Sequence, residues 1–164
     1  MDKTERAVKA SEAVKNRGVF YLDFWSTPQE EVSVPAAAAD QSLPDVVVSG
    51  LPAGVTLVRV VAMFKWRALE NTNGAANKLS GAQDIQVRTD APGAWADAIN
   101  LLDDMFGIAA STREGGDVLI GALDIKATVT GDDTYNFQWD EAVADVAAIN
   151  FNDVQVGLRI YYGL

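Results

Sequence analysis

The side chains of this chain that could do chemistry are mainly carboxylates, because the sequence contains no histidine and no cysteine. Without imidazole or thiol groups, a Ser-His-Asp triad, a cysteine nucleophile, a disulfide and a zinc site built on histidine or cysteine are all excluded. No pair among the many acids is singled out by its spacing as a general acid and base. We therefore predict no catalytic residue, no cofactor and no metal site, and interpret the protein as non-enzymatic.

Adjacent acids are the best places to look for a calcium site, and there are three such pairs in question: Glu30-Glu31, Asp103-Asp104 and Asp132-Asp133. None has the alternating Asp/Asn spacing followed by a distal Glu that an EF-hand loop requires. Adjacent acids more often lie at solvent-exposed positions of a helix or a turn. Calcium binding stays an alternative, with the Gly131-Asp132-Asp133 turn as its best location.

Tryptophan side chains offer a second kind of chemistry, stacking against sugar rings, and the chain has four of them: Trp25, Trp66, Trp95 and Trp139. The residues predicted to lie on the same face of the strand or helix as each tryptophan are apolar, which favours packing in a core over ligand binding. A carbohydrate-binding or adhesive module is therefore the alternative function.

Charge is distributed unevenly along the chain, which has 164 residues and a net charge of −10. Residues 1–18 carry five basic and three acidic side chains, a balance of +2, whereas the rest carries 8 basic and 20 acidic side chains, a balance of −12. An acidic body repels a phosphate backbone, so we expect no nucleic-acid partner. No apolar run approaches the roughly 18 residues of a membrane span, and we expect no membrane partner.

Residues 1–18 are predicted to form an N-terminal helical arm, and residues 19–164 a single β-domain. Asp2 and Glu5 give a capping-box pattern, and Gly18 is placed to end the helix. The arm has a thin apolar stripe, so it gains most by lying on a neighbouring subunit. The oligomer-contact residues predicted for it are Lys3, Arg6, Ala7, Lys9, Ala10, Val14, Lys15 and Arg17.

Alternation of apolar and polar residues predicts strands through most of the β-domain. The clearest runs cover residues 56–69 and 154–162, and in both the even-numbered side chains are predicted to face the core. Residues 117–129 and 134–140 are predicted to pair as a hairpin. One internal helix is predicted near residues 95–106, because four apolar residues recur there at helical spacing: Trp95, Ile99, Leu102 and Phe106.

About eight strands, one internal helix and long connections predict a mainly β protein, an antiparallel two-sheet sandwich. Jelly-roll topology is the first choice and an immunoglobulin-like arrangement the second. These topologies differ in strand order, which alternation alone does not determine.

Three features carry a resemblance to a known class of proteins: the charged N-terminal segment, the ENTNGAANKLSG loop at 70–81 and the regular run VQVGLRIYYGL at 154–164. The chain resembles the small β-sandwich structural proteins of tailed-bacteriophage virions, such as capsid decoration proteins or tail components. The resemblance implies a homo-oligomeric virion protein that acts through subunit contacts and stabilises the particle. Its partners would be further copies, a major capsid protein or a tail protein. We expect synthesis in the host cytoplasm without a signal peptide, since residues 1–18 have charges throughout.

Overall fold

The structure, a computed structural model, describes residues 18–34, 40–72, 74–78, 83–89, 93–101, 105–140 and 148–163. Within these ranges the regular elements are all strands. In chain order they are β1 (Val19–Trp25), β2 (Gln29–Val34), β3 (Gln41–Val48), β4 (Thr56–Glu70), β5 (Asn77–Lys78), β6 (Gln83–Thr89), β7 (Ala96–Leu101), β8 (Gly107–Ile108), β9 (Arg113–Ile120), β10 (Asp133–Asp140) and β11 (Ile149–Gly163). The prediction of a mainly β protein is confirmed.

Two antiparallel sheets contain the long strands. Sheet A has the order β1-β11-β4-β9, and β2 pairs with the first part of β11. Sheet B has the order β3-β10-β6-β7, and β5 pairs with β8 in a small separate ladder. The predicted antiparallel two-sheet arrangement is therefore confirmed.

The hydrophobic core lies between the two sheets. Strands β4 and β11 contribute Val60, Ala62, Phe64, Val154, Val156, Leu158 and Ile160, and sheet B contributes Val46, Ile85, Val87, Phe137 and Trp139. All of the β4 and β11 residues in this set are fully buried, as the even-numbered alternation predicted. Val58 departs from the prediction, since it is 42% exposed at the start of β4.

Aromatic rings fill the centre of this core. Phe64, Trp66, Phe106, Trp139 and Phe151 contact one another with ring centroids between 5.1 and 6.1 Å apart, mostly edge to face. The indole nitrogen of Trp139 donates a hydrogen bond of 2.6 Å to the buried Gln83 side chain. The core thus holds one well-satisfied polar contact among rings that bury large apolar areas.

The predicted internal helix is wrong, because residues 96–101 form strand β7 at the edge of sheet B. Between the pairs Ile85↔Ile99 and Gln86↔Asp97 the register shifts, which leaves Ala98 as an extra residue in β7. A β-bulge of this kind breaks the two-residue period, so that Ala98 and Ile99 are both buried. The broken alternation produced the apparent helical spacing. Leu102 lies outside the described residues, and Phe106 is buried in the aromatic core.

The predicted hairpin of residues 117–129 with 134–140 is also wrong, because β10 pairs with β3 and β6 instead. Strand β9 ends at Ile120, where the chain passes so close to β7 that a Cβ on Gly121 would lie 2.6 Å from the Ala98 carbonyl oxygen. Residues beyond it form a turn held by the Asp124 carboxylate, which accepts the Val60 N–H at 3.0 Å. Ile125 is buried from this turn without belonging to a strand.

Candidate functional site

The two outermost strands of sheet A, β1 and β9, carry exposed apolar side chains. Among the described residues, β1 pairs only with β11 and β9 pairs only with β4, so each has one open edge. On β1, Val19 is 59% exposed and Tyr21 is 56% exposed, with Phe20 also exposed between them. On β9, Val118 is 46% and Ile120 is 49% exposed. Open edges with apolar side chains are templates for pairing with another chain.

Strand β9 borders a hollow of about 350 Å³. Its walls include Trp66, Met105, Phe106, Gly115 and Leu119. The Trp66 indole nitrogen is buried there and finds no hydrogen-bond partner among the described residues. A Cβ on Gly115 would meet nothing within 4 Å, so the chain next to this glycine is open to close approach.

The outer face of sheet A combines buried apolar groups with paired cations. Arg159 donates to both carboxylate oxygens of Asp23, at 2.7 and 2.8 Å, and its guanidinium stacks 4.7 Å from the Tyr21 ring. The hydrogen bond from Arg159 to Asp23 raises the pKa of Arg159 above its ordinary value. Beside this pair, Val61 and Met63 are almost fully buried although they face away from the core.

Trp25 covers part of the same face by lying across β11. A Cβ on Gly157 would come within 2.7 Å of the Trp25 ring, so this position has room only for hydrogen. The Lys65 ammonium lies 5.1 Å from the centre of the same ring. Trp25 is therefore half-buried on the surface and stabilised by a cation–π contact.

The outer face of sheet B is a network of amides and carboxylates. Gln138 donates to the Gln86 side chain, which in turn donates to Asp97 at 3.0 Å and to Asp140 at 3.1 Å. Burial, and then the charges of Asp97 and Asp140, raise the pKa of Asp84. Burial and a hydrogen bond with the Asp40 carboxyl raise the pKa of Asp140 as well. Acids collected here therefore carry an electrostatic cost.

An arginine and a tryptophan stand at one end of this network. The Arg88 guanidinium lies 4.3 Å from the centre of the Trp95 ring, and its buried Nε has no hydrogen-bond partner in the part of the chain that the structure describes. Both residues line a hollow of about 450 Å³, whose other walls include Asp40, Ser42, Asp45, Asn136 and Gln138. An aromatic ring beside acids, amides and a guanidinium is a combination that binds hydroxyl-rich ligands.

The described acid pairs serve the backbone or face solvent. The Asp132 carboxylate accepts the N–H groups of Gly50 and Leu51 at 2.8 and 3.1 Å, which ties two loops together. Glu30 and Glu31 are exposed on β2, and Asp103-Asp104 lies outside the described residues. Within the described ranges, three or more acidic side chains nowhere converge as metal ligands would. The same part of the chain has no helix long and apolar enough to span a membrane.

All of the residues predicted for the arm lie outside the described residues: Lys3, Arg6, Ala7, Lys9, Ala10, Val14, Lys15 and Arg17. The contact predicted for them stays a prediction. Of the four tryptophans predicted in the core, Trp139 is fully buried and Trp66 packs against the core from a half-buried position. Trp25 and Trp95 instead lie at the surface beneath cations.

Sequence reasoning missed the open edges and the Arg88–Trp95 pair. Alternation identifies a strand but gives no sign of whether it lies at an edge, since an edge strand and a central strand alternate alike. Adjacent glycines such as Gly115-Gly116 are typical of turns, whereas the structure places both inside β9. The apolar run that begins with Val19, Phe20 and Tyr21 is typical of a buried strand, whereas these three side chains are exposed.

Comparison of the chain with protein-family models and with characterised proteins finds no match. Among solved structures, a chain of infectious bursal disease virus, Gx strain, matches over 90% of this chain and 38% of its own, at 8% identity and a TM-score of 0.41. A capsid chain of Ralstonia phage GP4 matches over 89% of this chain and 84% of its own, at 16% identity and a TM-score of 0.33. An isomalto-dextranase of Arthrobacter globiformis T6 matches over 77% of this chain and 23% of its own, at 15% identity and a TM-score of 0.34.

Proposed function

We propose that this protein is a non-enzymatic structural component of a virus particle, a capsid decoration protein or a tail component, that acts through contacts between subunits. The observation that carries the proposal is the pair of open edges in sheet A. One sheet presents exposed apolar side chains at both of its edges, on β1 and on β9. A protein that works by repeated subunit contacts needs such surfaces and needs no reactive group.

The strand order supports a role in a virus particle, because it assigns the chain to a fold that is common among capsid proteins. We assign the fold as a jelly roll. If the short strands β5 and β8 and the strand β2, which lies off the main order of sheet A, are set aside, the remaining eight strands lettered B to I in chain order form the sheets BIDG and CHEF. Jelly rolls are the architecture of many capsid and lectin domains. The fold class alone does not assign a function, which is why the open edges carry the argument.

The N-terminal arm is a second part of the proposal. Residues 1–17 carry net positive charge beside a strongly acidic body, so contact with an acidic neighbour would be favourable. Deleting residues 1–17 should leave the β-domain folded and weaken assembly, and the effect should diminish at high salt. A truncated protein that assembles as well as the intact one would contradict this role.

The experiment that tests the proposed function measures self-association directly. Sedimentation velocity and native mass spectrometry over a wide concentration range should show oligomers of the full chain. As a control, Gln138→Lys adds charge on β10, a central strand of sheet B that has neighbours on both sides, and should leave the oligomer unchanged. A chain that stays monomeric at every concentration would contradict the proposed function.

Glycan binding is a second candidate, which the Arg88–Trp95 hollow favours. Among the described residues the Arg88 Nε has no acceptor, and a sugar hydroxyl would supply one while the neighbouring acids and amides bind other hydroxyls. Adhesion to surface polysaccharide is also compatible with a particle component.

Titrating a panel of soluble polysaccharides while recording tryptophan fluorescence tests this candidate. Binding should be lost in Trp95→Ala and retained in Trp25→Ala, since Trp25 lies on the opposite sheet. An emission spectrum that no polysaccharide changes in the intact protein would remove glycan binding from consideration.

A further inference from the structure

We propose that the open edge of β9 in one copy pairs with the open edge of β1 in a second copy, so that sheet A continues from subunit to subunit. The inference rests on the self-association proposed above and specifies its interface. The occupant of the β9 edge is residues 19–25 of another copy of this chain.

Strand direction permits this continuation. Every neighbouring pair in sheet A is antiparallel, so along the order β1-β11-β4-β9 the first and last strands run in opposite directions. A second copy placed beside β9 in the same orientation therefore presents its β1 antiparallel to β9. The ladder continues without a reversal, and backbone groups of both open edges can form ladder hydrogen bonds. The Val118 N–H, which donates to the Asp117 carboxylate at 2.7 Å, would exchange that acceptor for a carbonyl of the second copy.

Side-chain direction selects the register. The outward-facing residues of β1 are Val19, Tyr21, Asp23 and Trp25, since Phe24 between them packs against the core. On β9, Ile120 is paired with the outward-facing Met63 and Val118 with Lys65, so Ile120 and Val118 face outward too. Pairing Tyr21 with Val118 aligns both sets and also places Val19 opposite Ile120. It brings together the four most exposed apolar side chains of the two edges.

This register is better than its neighbours for two reasons. A shift by one residue would place the outward-facing side chains of β1 opposite inward-facing side chains of β9, so the two strands could not continue one sheet with matched faces. A shift by two residues in one direction sets Asp23 opposite Val118, and in the other direction sets Tyr21 opposite Gly116, so either shift leaves only one of the two apolar pairs. In the proposed register Asp23 lies opposite Gly116, which has no side chain.

The inward-facing side of the contact agrees with the same register. Phe20, which is 45% exposed, comes opposite Leu119, a wall residue of the hollow beside β9. The hollow is also lined by Trp66, Met105 and Phe106, so an aromatic ring entering it would meet apolar partners. Phe24 comes opposite Gly115, whose Cβ position is empty within 4 Å.

Because β1 and β9 are different surfaces, the contact is heterologous and builds rings or rows of subunits. Such an arrangement differs from a twofold dimer, in which β9 would pair with β9 or β1 with β1. The difference can be tested with cysteines, because the natural chain has none.

The test mixes two full-length variants, Tyr21→Cys and Val118→Cys, under mild oxidation. The proposal expects a disulfide-linked heterodimer from the mixture and little homodimer from either variant alone, since directly opposed Cβ atoms are about 4.5–5.5 Å apart. The off-register mixture of Tyr21→Cys with Glu114→Cys is the matched control and should cross-link poorly. Val118→Lys should weaken self-association by tenfold or more, measured by sedimentation, with an unchanged circular dichroism spectrum.

Two results would overturn the inference and leave the proposed function standing, both in a protein that still self-associates. In the first, Val118→Cys alone cross-links to itself, which indicates a twofold contact. In the second, Val118→Lys assembles as well as the natural chain and the Tyr21–Val118 disulfide does not form. A chain that is monomeric throughout overturns both proposals.

Discussion

The outer faces of the two sheets, which both point away from the core, differ in the side chains that they carry. The outer face of sheet B satisfies its polar groups among themselves, through Gln86 and Gln138 and the acids that they bind. On the outer face of sheet A, Val61 and Met63 are buried next to the strand that carries the paired Arg159, and the two edges of the sheet are open and carry exposed apolar side chains. The difference shows that exposed apolar surface need not follow net charge. On the acidic face amides and acids bind one another, while the Arg88 Nε has no partner among the described residues, and in sheet A exposed apolar side chains line both edges.

We expect the largest change in the free energy of unfolding when a tightly packed glycine of sheet A is replaced. Sheet A contains Gly116 in β9, where a Cβ would collide with the Trp66 carbonyl oxygen, whereas the strands of sheet B contain no glycine. Gly116→Ala should destabilise the fold by about 3 kcal/mol or more, because the backbone of β9 must move. Its neighbour provides the control: Gly115→Ala should change the free energy of unfolding by no more than about 0.5 kcal/mol. Urea denaturation measures both, and equal losses would show that the close approach is not specific to Gly116.

Met63 tests whether the outer face of sheet A is a small second core. Met63→Ala removes a side chain that is only 1% exposed and should cost about 2–3 kcal/mol in thermal or chemical unfolding. On sheet B, Gln138→Ala should cost less than about 1 kcal/mol, because its half-buried amide is near solvent. If the two substitutions cost the same, the two outer faces do not differ as described.

The next largest expected effect is the coupling free energy of the ion pair between Asp23 and Arg159 on sheet A. A double-mutant cycle with Asp23→Asn and Arg159→Gln should give a coupling free energy of about 1 kcal/mol, because the contact is bidentate and both side chains are only about a quarter exposed. The pair of Arg67 with Asp153 is the comparison, since its arginine side chain is 65% exposed. Its cycle should give a smaller coupling, and a larger one would contradict the role of burial.

The smallest expected effect is a gain in stability, and it comes from replacing an acid of sheet B. The folded-state pKa of Asp84 is raised, so its contribution to stability is greatest below the unfolded pKa, near 3.8, and is lost as pH rises through the folded value. Asp84→Asn should therefore stabilise the protein near neutral pH by less than about 1 kcal/mol, and the gain should disappear in acid. Asp23→Asn on sheet A should destabilise it at neutral pH. Melting temperatures across a pH series test the pair, and a stabilising Asp23→Asn would refute the contrast.

Sequence patterns predicted the strands whose two-residue period is unbroken. The inner faces of β4 and β11 were predicted because apolar side chains occupy the even-numbered positions 60–64 and 154–160, although burial does not alternate along β4, where Val60 to Phe64 are all buried. The prediction failed at β7, where the extra residue Ala98 breaks the alternation, and at residues 121–129, where Ile125 reaches the core from a turn. In both places long-range contacts determine the backbone, and a local pattern cannot record them.

The candidate surfaces were less predictable than the fold. Exposure at Val19 and Val118 depends on which strands lie at the edges of a sheet, and that depends on the pairing order of the whole chain. The stack of Arg88 on Trp95 likewise joins β6 to the segment before β7. Neither residue type nor spacing identifies such contacts in advance.

The position of β11 in the centre of sheet A has a consequence for folding speed. This strand pairs with β1, β2 and β4, including the pair Val19↔Gly163 near the two ends of the described chain. Loops of such length must close before the central pairs form, so we expect refolding on the order of milliseconds to seconds, as for other all-β domains of high contact order. Until β11 arrives, one edge of the 15-residue β4 has no partner, and the unfinished chain is most prone to misassociate during that interval.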